Sequence, residues 1–136
     1  MIERNLLLIP DETIINKIFL IRGQKVMLDR DLAELYGVKS IRLREQVKRN
    51  IDRFPDRFMF QLTDNEVVFM VSQNAIPSKK HLGGSLPYAF TEHGVLMLAN
   101  VLKSGKAIQM IFSVLKQLLN PPQKPRKPIG YKRNKE

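Results

Sequence analysis

Cysteine and tryptophan are absent from this sequence of 136 residues, and histidine occurs only twice. Without cysteine, the chain has no disulfide, no thiolate nucleophile and no cysteine-ligated zinc site. His81 and His93 do not form an H-x-x-x-H metal motif, and the sequence contains no nucleophile elbow or repeated acidic cluster. We therefore expect no metal, no cofactor and no enzymatic activity.

Long apolar runs are missing as well. No segment approaches the roughly 20 consecutive apolar residues that are needed to cross a bilayer. The first residues, MIERNLLLIPDETI, lack the basic start and sustained apolar core of a signal peptide. The sequence therefore predicts no membrane association and a cytoplasmic, nucleoid-associated location.

Acidic residues are few relative to basic ones. The chain has 13 Asp and Glu against 23 Lys and Arg, a formal net charge of +10, which is typical of a protein that binds DNA, RNA or an anionic surface. An apolar content of 43% is ordinary, and 136 residues leave room for one hydrophobic core. We predict one domain over residues 1–119, followed by a basic, proline-rich disordered tail or linker over residues 120–136.

The functional prediction depends on residues 28–57. Apolar spacing predicts a helix capped by Asp29 and ended by Gly37, then a second helix from its cap Ser40 to Asn50. The apolar positions are Leu32, Leu35, Tyr36, Leu43, Val47 and Ile51. Two short helices joined by a glycine turn, the second one basic, resemble a helix-turn-helix that enters the DNA major groove. Two ordinary surface helices are the alternative, because such matches often arise by chance.

The second predicted helix and its surroundings are strongly basic. Residues 39–53 include six basic and two acidic side chains, whereas a solvated helix interleaves the two signs more evenly. We predict that Arg42 and Arg44 contact base edges, since arginine forms a bidentate pair with guanine. The predicted phosphate contacts are Lys48, Arg49, Arg53 and Arg57, with Lys39, Lys79 and Lys80 as weaker candidates.

The remaining sequence predicts an α+β fold, in which a small antiparallel sheet joins the helix-turn-helix-like pair and two C-terminal packing helices. Strands are predicted over residues 16–22, 25–28, 58–62 and 86–90, with a turn at Gly23 and Gln24. Thr63 and Glu66 have the spacing of a capping box, and Phe54 is predicted near the surface. The predicted buried sides of the last two helices are Val95, Leu96, Leu98 and Leu102, then Ile108, Ile111, Phe112, Leu115 and Leu118.

Two further segments have open interpretations. Residues 72–85 form a basic, glycine-bearing loop that either follows a phosphate backbone or is an ordinary connection. Residues 120–136 carry six basic side chains against Glu136, and they add sequence-independent attraction to phosphates, link to a further domain or only aid solubility. The wide apolar faces of the C-terminal helices also suggest a homodimer.

The run EQVKRNIDRFPDRFMFQLT, with LAELYGV before it and YAFTEHGVLML after it, resembles the phage Orf-six N-terminal domain. That domain is a relative of the KilA-N and Bro-N domains. The resemblance extends from about residue 15 to about residue 119, with a variable patch around residues 72–85. It implies a DNA-binding module without enzymatic activity, of the kind found at the N-terminus of phage antirepressors and in prophage-derived bacterial proteins.

Residue pattern and resemblance together predict a double-stranded DNA-binding domain of a phage or prophage-derived regulator. The helix over residues 40–50 would read the major groove. A different class of function is a protein-interaction module that docks a repressor or another partner through its C-terminal apolar helices. RNA binding is a third reading, against which the small number of exposed aromatics argues.

Overall fold

The computed structural model describes residues 11–73, 75–78 and 85–119. Within these ranges, the six α-helices are α1 (Asp11–Ile15), α2 (Asp29–Tyr36), α3 (Ser40–Arg49), α4 (Asp64–Ser72), α5 (Glu92–Leu102) and α6 (Gly105–Leu119). The four strands are β1 (Ile18–Ile21), β2 (Gln24–Leu28), β3 (Met59–Gln61) and β4 (Tyr88–Phe90). The predicted α+β class is confirmed. Residues 120–136, the predicted tail, lie outside the described ranges.

The predicted β1–β2 hairpin is confirmed, but its turn lies one residue earlier than expected. Ile21 pairs with Gln24, so the two turn residues are Arg22 and Gly23. Both have positive φ, 54° and 76°, which is the backbone of a type I′ turn. The right-handed twist of this turn matches that of the strands, so the hairpin closes with only two connecting residues.

The sheet has the order β1-β2-β4-β3, and every neighbouring pair is antiparallel. Phe90 in β4 pairs with Met27 on one side and Met59 on the other. Because successive side chains of a strand point to opposite faces, the strands contribute side chains to two separate apolar clusters, one on each face of the sheet. Met27 and Phe90 belong to the cluster on the face covered by α2, α3, α5 and α6, whereas Leu28 and Ala89 belong to the cluster that includes residues of α4.

Helix α4 begins with the predicted capping box. The Thr63 hydroxyl accepts the backbone N–H of Glu66 at 3.1 Å, and the Glu66 carboxylate accepts the N–H of Thr63 at 2.8 Å. Arg22 in the hairpin turn donates to both oxygens of that carboxylate, at 2.9 and 3.0 Å. The Arg22 guanidinium also lies 4.2 Å from the centre of the Phe60 ring. Two hydrogen bonds from Arg22 hold the pKa of Glu66 below its ordinary value.

The start of α5 is clamped onto the segment that follows α3. The Thr91 N–H donates to the Phe58 carbonyl at 3.0 Å, and the Thr91 hydroxyl donates to the Arg57 carbonyl at 2.8 Å. A Cβ on Gly94 would lie 1.9 Å from the Phe58 carbonyl oxygen, so only glycine fits at this crossing. The clamp fixes the backbone of residues 57–58 and therefore the course of the chain leaving α3.

The buried sides of α5 and α6 differ from the sequence prediction. Ile108 and Phe112, predicted to be buried, are 57% and 79% exposed, and Leu96 is 51% exposed. The residues of α6 that pack into the core are Ala107, Met110, Ile111, Val114 and Leu118. Apolar residues lie on more than one side of α6, so periodicity alone did not decide which side faces the core.

Phe54 also differs from its prediction. Its side chain is 4% exposed, and its ring meets the Phe90 ring edge to face, with the centroids 6.0 Å apart. The motif RFPDRF therefore contributes Phe54 to the core and leaves its arginines outside. This orientation brings the backbone after α3 back to the sheet at β3.

Candidate nucleic-acid interface

Helix α3 is joined to α2 by a tight turn at Gly37. Gly37 adopts a left-handed backbone, with φ 72°, and its N–H donates to the Glu34 carbonyl at 3.2 Å. The next N–H, of Val38, donates to the Ala33 carbonyl at 2.9 Å, which completes the end of α2. The predicted glycine stop is confirmed. The turn allows α3 to begin three residues later and to pack back on α2.

One side of α3 is anchored in the core, and the opposite side faces solvent. Leu43 and Val47 are 0% and 1% exposed and belong to the larger apolar cluster. Asn50 ends the helix as predicted, and its side-chain amide donates to the Gln46 carbonyl at 2.8 Å. Ile51, predicted to extend the buried side, is 52% exposed because it starts a 3-10 turn over Ile51–Arg53.

Most of the predicted DNA contacts lie on the solvent-facing surface of this region. Lys39, Arg42, Lys48, Arg49, Arg53 and Arg57 are all exposed. Across the described parts of the chain, none of these six cations has a carboxylate oxygen within ion-pair distance. The Arg57 guanidinium lies 5.8 Å from the centre of the Phe58 ring. We call this set of six side chains the basic face.

Arg44 is not part of the basic face. Its Nε donates to the Asp29 carboxylate at 2.8 Å, a second guanidinium nitrogen lies 2.8 Å from the same oxygen, and that nitrogen also donates to the Leu86 carbonyl at 3.2 Å. The guanidinium lies 5.3 Å from the centre of the Tyr88 ring. The sequence placed Arg44 at a base edge, whereas its partners hold it inward, between α3, α2 and β4.

Asp29 explains why Arg44 points inward. The carboxylate, which the sequence predicted as an N-cap, is 0% exposed in the first turn of α2 and makes no capping hydrogen bond. It instead accepts the N–H of Arg30 at 2.8 Å and receives Arg44. Burial raises the pKa of Asp29, while Arg44 and the backbone N–H groups of Tyr88 and Arg30 act in the opposite direction. The Asp29–Arg44 pair thus ties the two helices together.

Ser40 was also predicted as a cap. It is instead the first residue of α3, Lys39 occupies the cap position, and no side chain caps this helix end. The backbone N–H groups of the first turn of α3 therefore have no capping side chain among the described residues. This position lies at one end of the basic face, beside Lys39.

The centre of the exposed side of α3 is not basic. With about 3.6 residues per turn, Glu45 lies directly opposite the midpoint between the buried Leu43 and Val47. Ile41, one turn earlier on the same side, is 71% exposed, and Glu45 is exposed as well. Neither residue is among the predicted contacts, although a helical projection through Leu43 and Val47 identifies both.

The remaining predicted contacts, Lys79 and Lys80, lie outside the described residues, as does His81. His93 is exposed and its ring stacks on Phe58, with centroids 5.5 Å apart. Among the residues with described coordinates, no group of three or more His, Cys, Asp and Glu side chains is placed to hold a metal ion. None of the helices in those same ranges has the length and hydropathy needed to span a membrane.

Comparison with known proteins supports the resemblance seen in the KRN-x-x-RFP-x-x-F-x-F-x-L motif. The family model of the ORF6N domain matches residues 16–101, more than half of the chain, from the start of the hairpin almost to the end of α5. No curated protein and no solved structure matches the chain. The chain belongs to the phage-associated ORF6N domain family.

Proposed function

We propose that this domain binds double-stranded DNA through the exposed side of α3, as part of a phage or prophage-derived regulator of the antirepressor or transcription-regulator type. The observation that carries the proposal is the basic face: six exposed cations of residues 39–57 without a carboxylate partner in the described residues, on α3, at the position before it and on the segment after it. Cations left unpaired attract a polyanion most strongly.

The shape of α3 supports the same proposal. The major groove is about 12 Å wide and admits an α-helix. Helix α3 has 10 residues, a length of about 15 Å, and only one of its sides is anchored in the core. Arg42 and Arg49 flank one edge of the exposed side and Lys48 the other, which suits contacts to the two phosphate backbones of a groove. Arg53 and Arg57 extend these contacts beyond the helix.

We propose a binding role without catalysis, and a location at the nucleoid follows from a DNA target. The test is a titration of a fluorescently labelled random-sequence duplex with the full chain. Fluorescence anisotropy measures the binding at several salt concentrations. Lys48→Ala should weaken binding to every sequence equally and reduce the salt slope by about one unit. Lys116→Ala is the matched control, since Lys116 is an exposed lysine on α6 that does not belong to the basic face. Equal effects of the two variants would contradict the proposal.

A second candidate function, a protein contact, is favoured by the outer side of α6. Ile108, Phe112 and Leu119 are 57%, 79% and 58% exposed, and the half-buried Leu115 lies between them. Their spacing of four, three and four residues reads the same in both directions, so a second copy of α6 can pair with it antiparallel about a two-fold axis. These few side chains cover far less than the ~800 Å² per partner of a stable complex, so we expect a weak homodimer.

Sedimentation velocity over a range of concentrations tests this contact. The full chain should dimerise at high concentration, and Phe112→Ser should remain monomeric. Phe69→Ser, at a partly exposed phenylalanine on α4, is the matched control and should dimerise like the unmodified chain. A monomer at the highest soluble concentration would contradict the homodimer. A stable complex with a repressor-type protein, together with no DNA binding at low salt, would favour the protein-interaction module over the DNA-binding domain.

A further inference from the structure

We propose that Ile41 and Glu45, rather than the arginines, give this domain its sequence preference, Ile41 for the methyl group of thymine and Glu45 for the amino group of cytosine at a neighbouring base pair. This inference rests on the proposed DNA-binding function and deepens it. It starts from the positions of the two side chains on the exposed side of α3: Glu45 lies at its midpoint, and Ile41 lies about 40° from Glu45 in the first turn of the helix.

Of the two arginines predicted for base recognition, Arg42 and Arg44, the second is not free to perform it. Arg44 is held by Asp29 and by the Leu86 carbonyl, and moving it to a base would leave a fully buried carboxylate without its guanidinium. Arg42 lies farther from the midpoint, about 60° around the helix from Glu45, and Arg49, about 40° from Glu45, lies in the last turn, away from the N-terminal residues that contact base edges. A side chain at the edge of a helix in the major groove meets the backbone, whereas the centre meets the base edges.

Ile41 has the chemistry to recognise thymine. Its side chain is 71% exposed in the first turn of α3, and the N-terminal residues of a recognition helix are those that contact base edges. In the major groove, the C5-methyl of thymine is an apolar feature of the base edge, and apolar side chains contact it directly. Burying one methyl group against Ile41 corresponds to about a fourfold gain in affinity.

Glu45 completes the pair, one helical turn after Ile41. A carboxylate in the middle of a basic face opposes non-specific attraction to phosphates, because it carries their sign of charge. The N4 amino group of cytosine is a donor in the major groove, and a glutamate accepts its hydrogen bond. Glu45 therefore lowers the affinity for duplexes that offer no such donor. The result is a preference of about fivefold for duplexes with cytosine at the contacted position over duplexes without it.

The experiment selects bound duplexes from a random DNA pool with the full chain and measures the affinity of the enriched site. Replacing the contacted thymine by deoxyuridine removes only the methyl group and should weaken binding of the unmodified chain about fourfold. Ile41→Ala should bind both duplexes equally. Val68→Ala is the matched control, because Val68 is a β-branched residue that is 50% exposed on α4, outside both the basic face and the outer side of α6, and it should keep the discrimination.

The Glu45→Ala variant removes the carboxylate acceptor and has two effects of opposite sign. It should lose about fivefold of the preference for cytosine and at the same time bind random duplex more tightly than the unmodified chain, since a negative charge is removed. Duplex binding with a site preference that neither variant changes would overturn this inference and leave the proposed DNA binding intact. No duplex binding by the unmodified chain at low salt would overturn the proposed function and, with it, this inference.

Discussion

The two sides of α3 carry the same residue type in opposite roles. On the inner side, Arg44 is paired with a carboxylate that is 0% exposed and joins α3 to α2 and β4. On the outer side, Arg42 and Arg49 are exposed and have no carboxylate partner among the described residues. The difference teaches that the role of an arginine depends on its tertiary partner. A count of the charges along the helix cannot separate an arginine that stabilises the fold from one that is available for binding.

The largest expected effect on the free energy of unfolding comes from the backbone segment after α3, which positions Arg57 of the basic face. Gly94→Ala places a Cβ 1.9 Å from the Phe58 carbonyl oxygen, so the clamp between α5 and residues 57–58 must open. We expect a loss of at least about 3 kcal/mol in the free energy of unfolding, or a chain that fails to fold. Chemical denaturation followed by circular dichroism measures it.

Gly105→Ala is the matched control for this change. A Cβ at Gly105 has no heavy atom within 4 Å, and the residue is the first of α6. We expect the free energy of unfolding to stay the same or to rise by up to about 1 kcal/mol. Equal losses of the free energy of unfolding in Gly94→Ala and Gly105→Ala would show that the close approach of Gly94 to the Phe58 carbonyl does not determine the stability of the fold.

The next largest effect on the free energy of unfolding is expected at Arg44, on the inner side of α3. Arg44→Ala leaves the Asp29 carboxylate buried without its partner, and such losses cost about 3–5 kcal/mol. Arg42→Ala, two residues away and exposed, should change the free energy of unfolding by no more than about 0.5 kcal/mol. Urea denaturation of both variants makes the comparison. If Arg44→Ala and Arg42→Ala had similar free energies of unfolding, the two arginines would not differ in structural role, and the distinction between the two sides of α3 would be wrong.

A more exposed arginine–carboxylate pair gives a smaller effect that depends on pH. Arg22 lowers the pKa of Glu66, so the folded carboxylate binds protons less tightly than the unfolded one. The stabilisation is present above the unfolded pKa of Glu66 and is lost as pH falls through its lower folded pKa. Glu66→Gln should cost about 1 kcal/mol at pH 7 through loss of this ion pair, because the amide oxygen of glutamine still accepts the Thr63 N–H of the capping box.

Thermal unfolding of Glu66→Gln and of the unmodified chain between pH 7 and pH 2 tests this effect. The difference between their stabilities should shrink steadily as the pH falls below the unfolded pKa of Glu66. A difference that stays constant over this range would mean that the pair does not shift the titration of Glu66 in the folded chain.

Local signals in the sequence predicted much of the fold. The left-handed Gly37, the capping box of Thr63 and Glu66, and the cap at Asn50 each depend on residues close in the chain, and each is confirmed. The family was also identifiable, because its motif is dense and largely continuous.

The errors have a different origin. Asp29 and Arg44 are 15 residues apart, and no helical rule indicates that one would meet the other. Phe112 satisfies the periodicity of a buried helix, yet it is 79% exposed because the core already receives Met110 and Val114. The site residues are the hardest to predict from sequence, since a contact surface consists of the residues that no partner in the chain covers, and that set depends on the complete fold.

The central claim is that the outer side of α3 binds duplex DNA through phosphate contacts. The most direct measurement is the affinity of the full chain for a random-sequence duplex as a function of salt concentration. With six phosphate contacts, the logarithm of the association constant should fall linearly with the logarithm of salt concentration, with a slope of about −5. Arg49→Ala should reduce that slope by about one unit. No binding at low salt, or a slope that Arg49→Ala leaves unchanged, would contradict the claim.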